Sequence, residues 1–388
     1  MKQRGLQILI RLHLVACCAS VVVLAGCQAK GAAGHYDKYL SRLGRSIEVD
    51  VPAITSQPQS RAPRPEKLRL EIRSASLDTL DFLALAGCDL QVTIGKSNSS
   101  LGRMARDSQR LLLALEYLQL APACIDYQRA RDRDELADIL QQAWQLKRKQ
   151  LPAMLFNATL GGIEYRAFWR IPANLGDYPT DTSSLVISSL RNINSHARRW
   201  LDGDYQANNR DFEILLGDIA AGDGGALLKA LAEQTAWLSA GDVMLAERRA
   251  RGPLCTVGFE PAEAAILQNV VRKYFVGETQ TYAAALGRRY HDLLPAITEL
   301  EGLLTAALPP DYRTWQQQRD TELAELLAAP RRHVEQLKTL QETCPGAPLA
   351  PSQSKTLRLH IRVQLRSGSK GKCPKPSKLV TLLHRHTY

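Results

Sequence analysis

The chain has 388 residues, 45% of them hydrophobic and 23% charged, enough to bury a sizeable core in one large domain or two ordinary ones. Its formal net charge of +11 is unevenly placed: three basic residues precede Cys27 and nine follow Ser354, so the 38 between them face all 39 acidic residues. A body with that balance lacks the basic face needed to displace counterions from nucleic acid, and nucleic acid is excluded as a partner.

At the N-terminus, Lys2, Arg4 and Arg11 lead into an apolar run from Leu14 to Val23, which is too short to span a bilayer. The run ends at Leu24-Ala25-Gly26-Cys27. A charged start, a brief apolar core and small residues at a cleavage point read as a secretory signal. The cysteine directly after Gly26 resembles a bacterial lipobox. That resemblance implies that residues 1–26 are removed, that the Cys27 thiol is diacylated, and that its new amine is acylated in turn. Gln28, in place of Asp, resembles lipoproteins exported to the outer membrane. The expected location is therefore the bacterial envelope, at the periplasmic face of the outer membrane.

Residues 27–67 read as a lipid-anchored tether, a short helix and a connector. Tyr36, Tyr39, Leu40, Leu43 and Ile47 recur at helical spacing, and Pro52, Pro58, Pro63 and Pro65 then break regular structure. Leu68, Leu70 and Ile72 alternate with charged residues in a strand pattern. Residues 68–344 form the expected body. Its predicted elements are a helix from Ser76 to Ala86, a turn-rich stretch from Gly95 to Gly102, and a long helix stopped at Pro122. A helix over Asp134 to Lys149 follows, with Pro152 placed to start another turn. Gly161-Gly162 marks a break. Helices are expected over Ser183–Leu201, Asp211–Ala221 and Gly225–Arg249, and helical periodicity extends from Pro261 to about Leu308. Two last helices, Tyr312–Ala328 and Arg331–Glu342, complete an all-α, bundle-like body of about ten helices. Residues 345–388 contain no acidic residue and little helical periodicity. They read as a basic, disordered tail, whose charge would also attract anionic headgroups.

Cys88, Cys124, Cys255 and Cys344 lie in the body, with Cys373 in the tail. None has zinc-ligand spacing, so no metal is expected. Four cysteines allow three pairings. Cys88 with Cys124 and Cys255 with Cys344 is the favoured one, because each pair closes one half of the chain. The loop-entropy model gives about 4 to 4.5 kcal/mol for each. Buried free thiols are the alternative.

No nucleophile elbow, HExxH, Walker loop or GxGxxG occurs, so no catalytic residue and no cofactor are assigned. His196, His291 and His333 each lie beside arginines and read as exposed helix histidines. Two polar clusters remain. Asn98, Ser99 and Ser100 are placed to cap a following helix, with a ligand site as the other reading. Asn157, Glu164 and Arg166 sit in an apolar, aromatic stretch and read as a buried, paired network or a ligand site. Glu164 and Arg166, two apart, share a face only on an extended path, which the glycine pair permits. Phe156, Phe168 and Trp169 are expected around them.

Several blocks resemble the domain of unknown function 3080 family, uncharacterised lipoproteins of the Gram-negative envelope. They are Asn98 to Gly102 with Ser108 to Leu111; Leu151-Pro152, Asn157 to Thr159, Glu164 and Arg166 to Phe168; and Pro253 to Cys255 with Asn269-Val270 and Lys273-Tyr274. The resemblance spans about Tyr36 to Cys344, and the basic tail departs from it. It implies an envelope lipoprotein with these cysteine positions and supplies no activity. The expected function is non-enzymatic binding or scaffolding of an envelope protein or lipid, held to the membrane by the lipid anchor. The alternative is an envelope hydrolase acting on lipid or peptidoglycan. Two carboxylates converging in a cleft would favour the hydrolase; an apolar groove without them would favour binding.

Overall fold

A computed structural model of the protein describes residues 32–73, 79–180, 182–256 and 259–344. The expected signal, Cys27 and the expected tail with Cys373 lie outside the described residues. The expected N-terminal helix is α1 (Ala32–Ile47). All five of its predicted stripe residues are at most 1% exposed.

The connector leads to a single helical turn, α2 (Pro65–Leu68), and then to two small helices, α3 (Thr79–Ala84) and α4 (Leu90–Asn98). One further turn, α5 (Ser100–Arg103), completes this group. A four-residue connection folds α6 (Asp107–Arg129) and α7 (Asp134–Ala158) into an antiparallel hairpin. Next come α8 (Ile163–Phe168), α9 (Leu185–Leu201), α10 (Asn209–Ala220) and α11 (Gly224–Ala250). α12 (Ala262–Val270) continues through a π-helical stretch, Val271–Thr279, into α13 (Gln280–Leu303), and α14 (Pro310–Gln341) closes the body.

The apolar side chains gather in three clusters. The largest includes Leu111 and Leu115 of α6, Leu155 and Phe156 of α7, Leu190 of α9, and Ile297 and Leu300 of α13. The second joins α1 to Leu238 and Met244 of α11, Leu267 of α12 and Leu337 of α14. The third lies under α3 and α4, where Leu85, Leu90 and Ile94 meet Tyr117, Ala121 and Leu140. α11 and α14 each contribute first to the largest cluster and then to the second, so these two helices tie the clusters together. Cys88 is bonded to Cys124 at the third cluster, and Cys255 to Cys344 at the second.

The all-α expectation holds, and several local readings are corrected. Pro122, Pro152 and Pro330 lie inside helices, not at their ends, and Pro295 lies inside α13, in keeping with the periodicity that runs through it. An internal proline cannot donate to the carbonyl four residues back. At Pro122 a neighbouring helix supplies the missing donor. Trp144 Nε1–H donates to the Leu118 carbonyl, the one orphaned by Pro122, at 3.0 Å. At Pro330 the Leu326 carbonyl has only a 3.3 Å approach from Thr235 Oγ1, whose proton goes to the Leu231 carbonyl at 2.8 Å. α6 therefore runs on where propensity alone would stop it, and α7, α13 and α14 also continue through their prolines.

The turn-rich stretch from Gly95 to Gly102 is mostly helical, because Ser99 interrupts α4 and starts α5 at once. Among the described residues there is no strand, only an isolated bridge between Thr256 and Phe259. Residues 69–73 follow α2 without ladder partners. The start of the helix expected from Ser76 lies outside the described residues.

Candidate functional site

Gln150 and Asn157 stand seven residues apart on α7, two turns along one face. Both side-chain amides reach the unpaired segment 69–73. Asn157 accepts from the Leu70 N–H at 2.9 Å and donates to the Leu70 carbonyl at 2.8 Å. Gln150, with its oxygen toward the Arg73 N–H and its nitrogen toward the Arg73 carbonyl, pairs at 2.8 and 3.1 Å. Two amides thus take the place of a neighbouring strand, which is how an alternating sequence sits extended in a helical protein.

The segment held in this way lines a cleft of about 920 Å³, together with α4, α5, α6 and α7. Leu111, Ala114 and Met154 form buried parts of its lining, with Leu70, Ile72 and Leu113 partly exposed. Five cations and three carboxylates share it: Arg69, Arg73, Arg103, Arg110 and Lys147 against Glu66, Glu71 and Asp107. Arg69 and Asp107 pair with each other at 2.8 Å. Among the described residues the other four cations have no carboxylate partner. Lys147 is the one withdrawn from water: it is half-buried, with Nζ 5.0 Å from the centre of the Tyr117 ring, and burial lowers its pKa.

The six polar candidates divide between the cleft, a helix cap and the surface. Asn98 lines the cleft, and Asn157 both lines it and holds its wall. Ser99 caps α5, its hydroxyl accepting from the Gly102 N–H at 3.0 Å and donating to the Lys96 carbonyl at 2.7 Å. Ser100 is the first residue of that turn. Gly102 is required there, since a Cβ would stand 2.1 Å from the Lys96 carbonyl oxygen.

The expected network of Asn157, Glu164 and Arg166 does not form. Residues 163–168 are helical, not extended, so Glu164 and Arg166 diverge. Arg166 is exposed, and half-buried Glu164 has only a 4.0 Å approach to Arg106. Phe156, Phe168 and Trp169 are buried as expected, but around a different polar pair.

That pair is Glu301 and Arg319, 2% and 0% exposed. Arg319 Nη1 and Nη2 donate to the two Glu301 oxygens at 2.7 and 3.0 Å. Tyr312 donates to Glu301 at 2.7 Å and Gln316 at 2.8 Å, while the guanidinium lies over the rings of Trp169 and Trp315. Burial, then the Glu301 charge, pushes the Tyr165 phenol beside this pair upward. A second hidden group corrects the histidine reading: His333 is fully buried, its Nδ1 2.6 Å from Asp242 and its Nε2 2.7 Å from the Tyr39 hydroxyl. The order carboxylate, imidazole, hydroxyl imitates a nucleophilic triad. Here the hydroxyl is a tyrosine with no exposed surface, and its pKa is raised by burial and by Asp242. The group latches α1 onto α11 and α14.

Both groups left a trace that residue type concealed. His333 continues the stripe Ala329, Leu337, Leu340, and Arg319 continues Tyr312, Trp315, Leu323. Among the described residues no cluster of metal-ligating side chains occurs. No helix among them is long and apolar enough to cross a membrane.

A family model described as a protein of unknown function, DUF3080, matches residues 36–348. No curated protein and no solved structure matches the chain. The chain belongs to the DUF3080 family.

Proposed function

We propose that this family member is a lipid-anchored envelope protein without enzymatic activity, held by Cys27 at the periplasmic face of the outer membrane, whose cleft binds an amphiphile with an anionic head. The anchor and location rest on the lipobox pattern at Leu24 to Cys27 and on Gln28. One observation carries the binding reading. Lys147 is drawn into the cleft beside apolar walls, and no described carboxylate repays its lost hydration. An anionic ligand with an apolar chain would satisfy both the charge and the walls. A hydrolase would need two free, converging carboxylates, whereas Asp107 is already held by Arg69 and Glu66 and Glu71 stand exposed.

Titration of the purified full chain with lysophosphatidylglycerol and with lysophosphatidylcholine, below their micellar concentrations, tests the cleft. The anionic probe should bind more tightly, and Lys147→Met should erase the preference. Equal binding of both probes by the unmodified protein would overturn the reading. For the anchor, Cys27→Ser should abolish palmitate labelling and release from the signal; a labelled mutant in the outer membrane would refute it.

A further inference from the structure

The two most exposed large apolar side chains among the described residues are Leu101 at 84% and Met104 at 85%. They are neighbours, three apart across the single turn of α5 and its closing residue, so they project from the same side of it. Exposed apolar residues scattered singly need no explanation, but these two are presented on a built support. The Ser99 cap and the close approach of Gly102 to Lys96 fix the turn. Arg110 then folds back to donate to the Arg103 carbonyl at 2.5 Å.

From Asn98 to Arg110 the charged residues are three arginines and one aspartate. Arg103, Arg106 and Arg110 surround it in sequence, and all three are exposed. Arg103 and Arg110 have no described carboxylate partner, and Arg106 only the 4.0 Å approach to Glu164. The nearest acid in sequence, Asp107, is neutralised by Arg69. A rigid apolar pair among unpaired cations matches a surface of anionic headgroups over acyl chains: the side chains enter the headgroup boundary while the arginines meet phosphates. A protein partner would fit the apolar pair without calling for that unpaired charge.

We infer that Leu101 and Met104, ringed by Arg103, Arg106 and Arg110, form a face that docks on an anionic lipid bilayer. Arg103 and Arg110 also line the cleft, so docking would set the cleft beside the membrane surface. The inference does not depend on what the cleft binds.

Amide hydrogen exchange on the full chain, reconstituted on phosphatidylglycerol vesicles and on phosphatidylcholine vesicles, reads this face locally. Attachment through the N-terminus or the basic tail therefore does not obscure it. On phosphatidylglycerol, residues 99–105 should exchange about tenfold more slowly than on phosphatidylcholine. The gain should vanish when Leu101→Asp and Met104→Asp are combined, and both sites are exposed enough to leave the fold intact. Lys147→Met should keep the protection, which separates failure of this face from failure of the cleft. Equal exchange on the two vesicles, or protection that survives the double substitution, would overturn the inference.

Discussion

The centre of the body and its α3–α5 end treat charge in opposite ways. At the centre, Glu301 and Arg319 are withdrawn from water and their charges are answered by each other, by Tyr312, Gln316 and Asp320, and by two indole faces. At the other end, arginines stand unpaired in solvent beside exposed Leu101 and Met104, and half-buried Lys147 has no carboxylate partner among the described residues. The first arrangement commits its charges within the protein. The second leaves charge and apolar area uncommitted, so stability and recognition fall to different parts of one chain.

The sharpest way to break the contrast is Glu301→Ala, which leaves buried Arg319 with exposed Asp320 as its one remaining carboxylate partner. We predict a loss of about 3–5 kcal/mol, measured by denaturant unfolding. Replacing both residues with leucine should cost less than this single change, because no buried charge then remains and Asp320 is exposed to water.

Next in size is the pair Cys88→Ser with Cys124→Ser. Loop entropy sets its upper bound at about 4 kcal/mol. We expect the loss to concentrate in α3 and α4, as faster amide exchange there. The Cys255→Ser and Cys344→Ser pair should instead loosen α1 and the second apolar cluster.

Lys147→Met should move stability the other way. A lysine whose folded pKa is lowered binds fewer protons in the folded than in the unfolded state, between its folded pKa and its ordinary value. Stability therefore rises with pH across that window, and below it the charged side chain is a burden. At neutral pH the substitution should raise the melting temperature by about 1–2 °C while removing the preference for the anionic probe. A lowered melting temperature would show that Lys147 already has its counter-charge within the protein.

The smallest effect belongs to Glu164→Ala, at about 0.5 kcal/mol or less by thermal melting. The side chain is half-buried, and its one charged neighbour, Arg106, is 4.0 Å away.

Much of the architecture was legible because apolar spacing reports burial directly. The stripe from Tyr36 to Ile47 needed no other knowledge, and of the three cysteine pairings the favoured one, closing each half of the chain, is the one formed. The polar interior was hidden because periodicity was read through residue type: His333 and Arg319 sit on buried stripes but are not apolar. Glu164 and Arg166 misled for the converse reason, since polar residues in an aromatic stretch need only face outward on a short helix. The cleft depends on Asn157 and Gln150 meeting a segment some 80 residues earlier, a tertiary event with no local signature.

The internal proline rescued from a neighbouring helix, Pro122, also constrains how the sequence can change. While Pro122 is present, the Leu118 carbonyl depends on the Trp144 indole, so Trp144→Phe removes its partner. With an alanine at 122, the helix supplies its own donor and the same change at 144 loses only an indole. The two positions are therefore epistatic. A drifting lineage must lose the proline before it can freely lose its helper, and the two should be exchanged together or in that order.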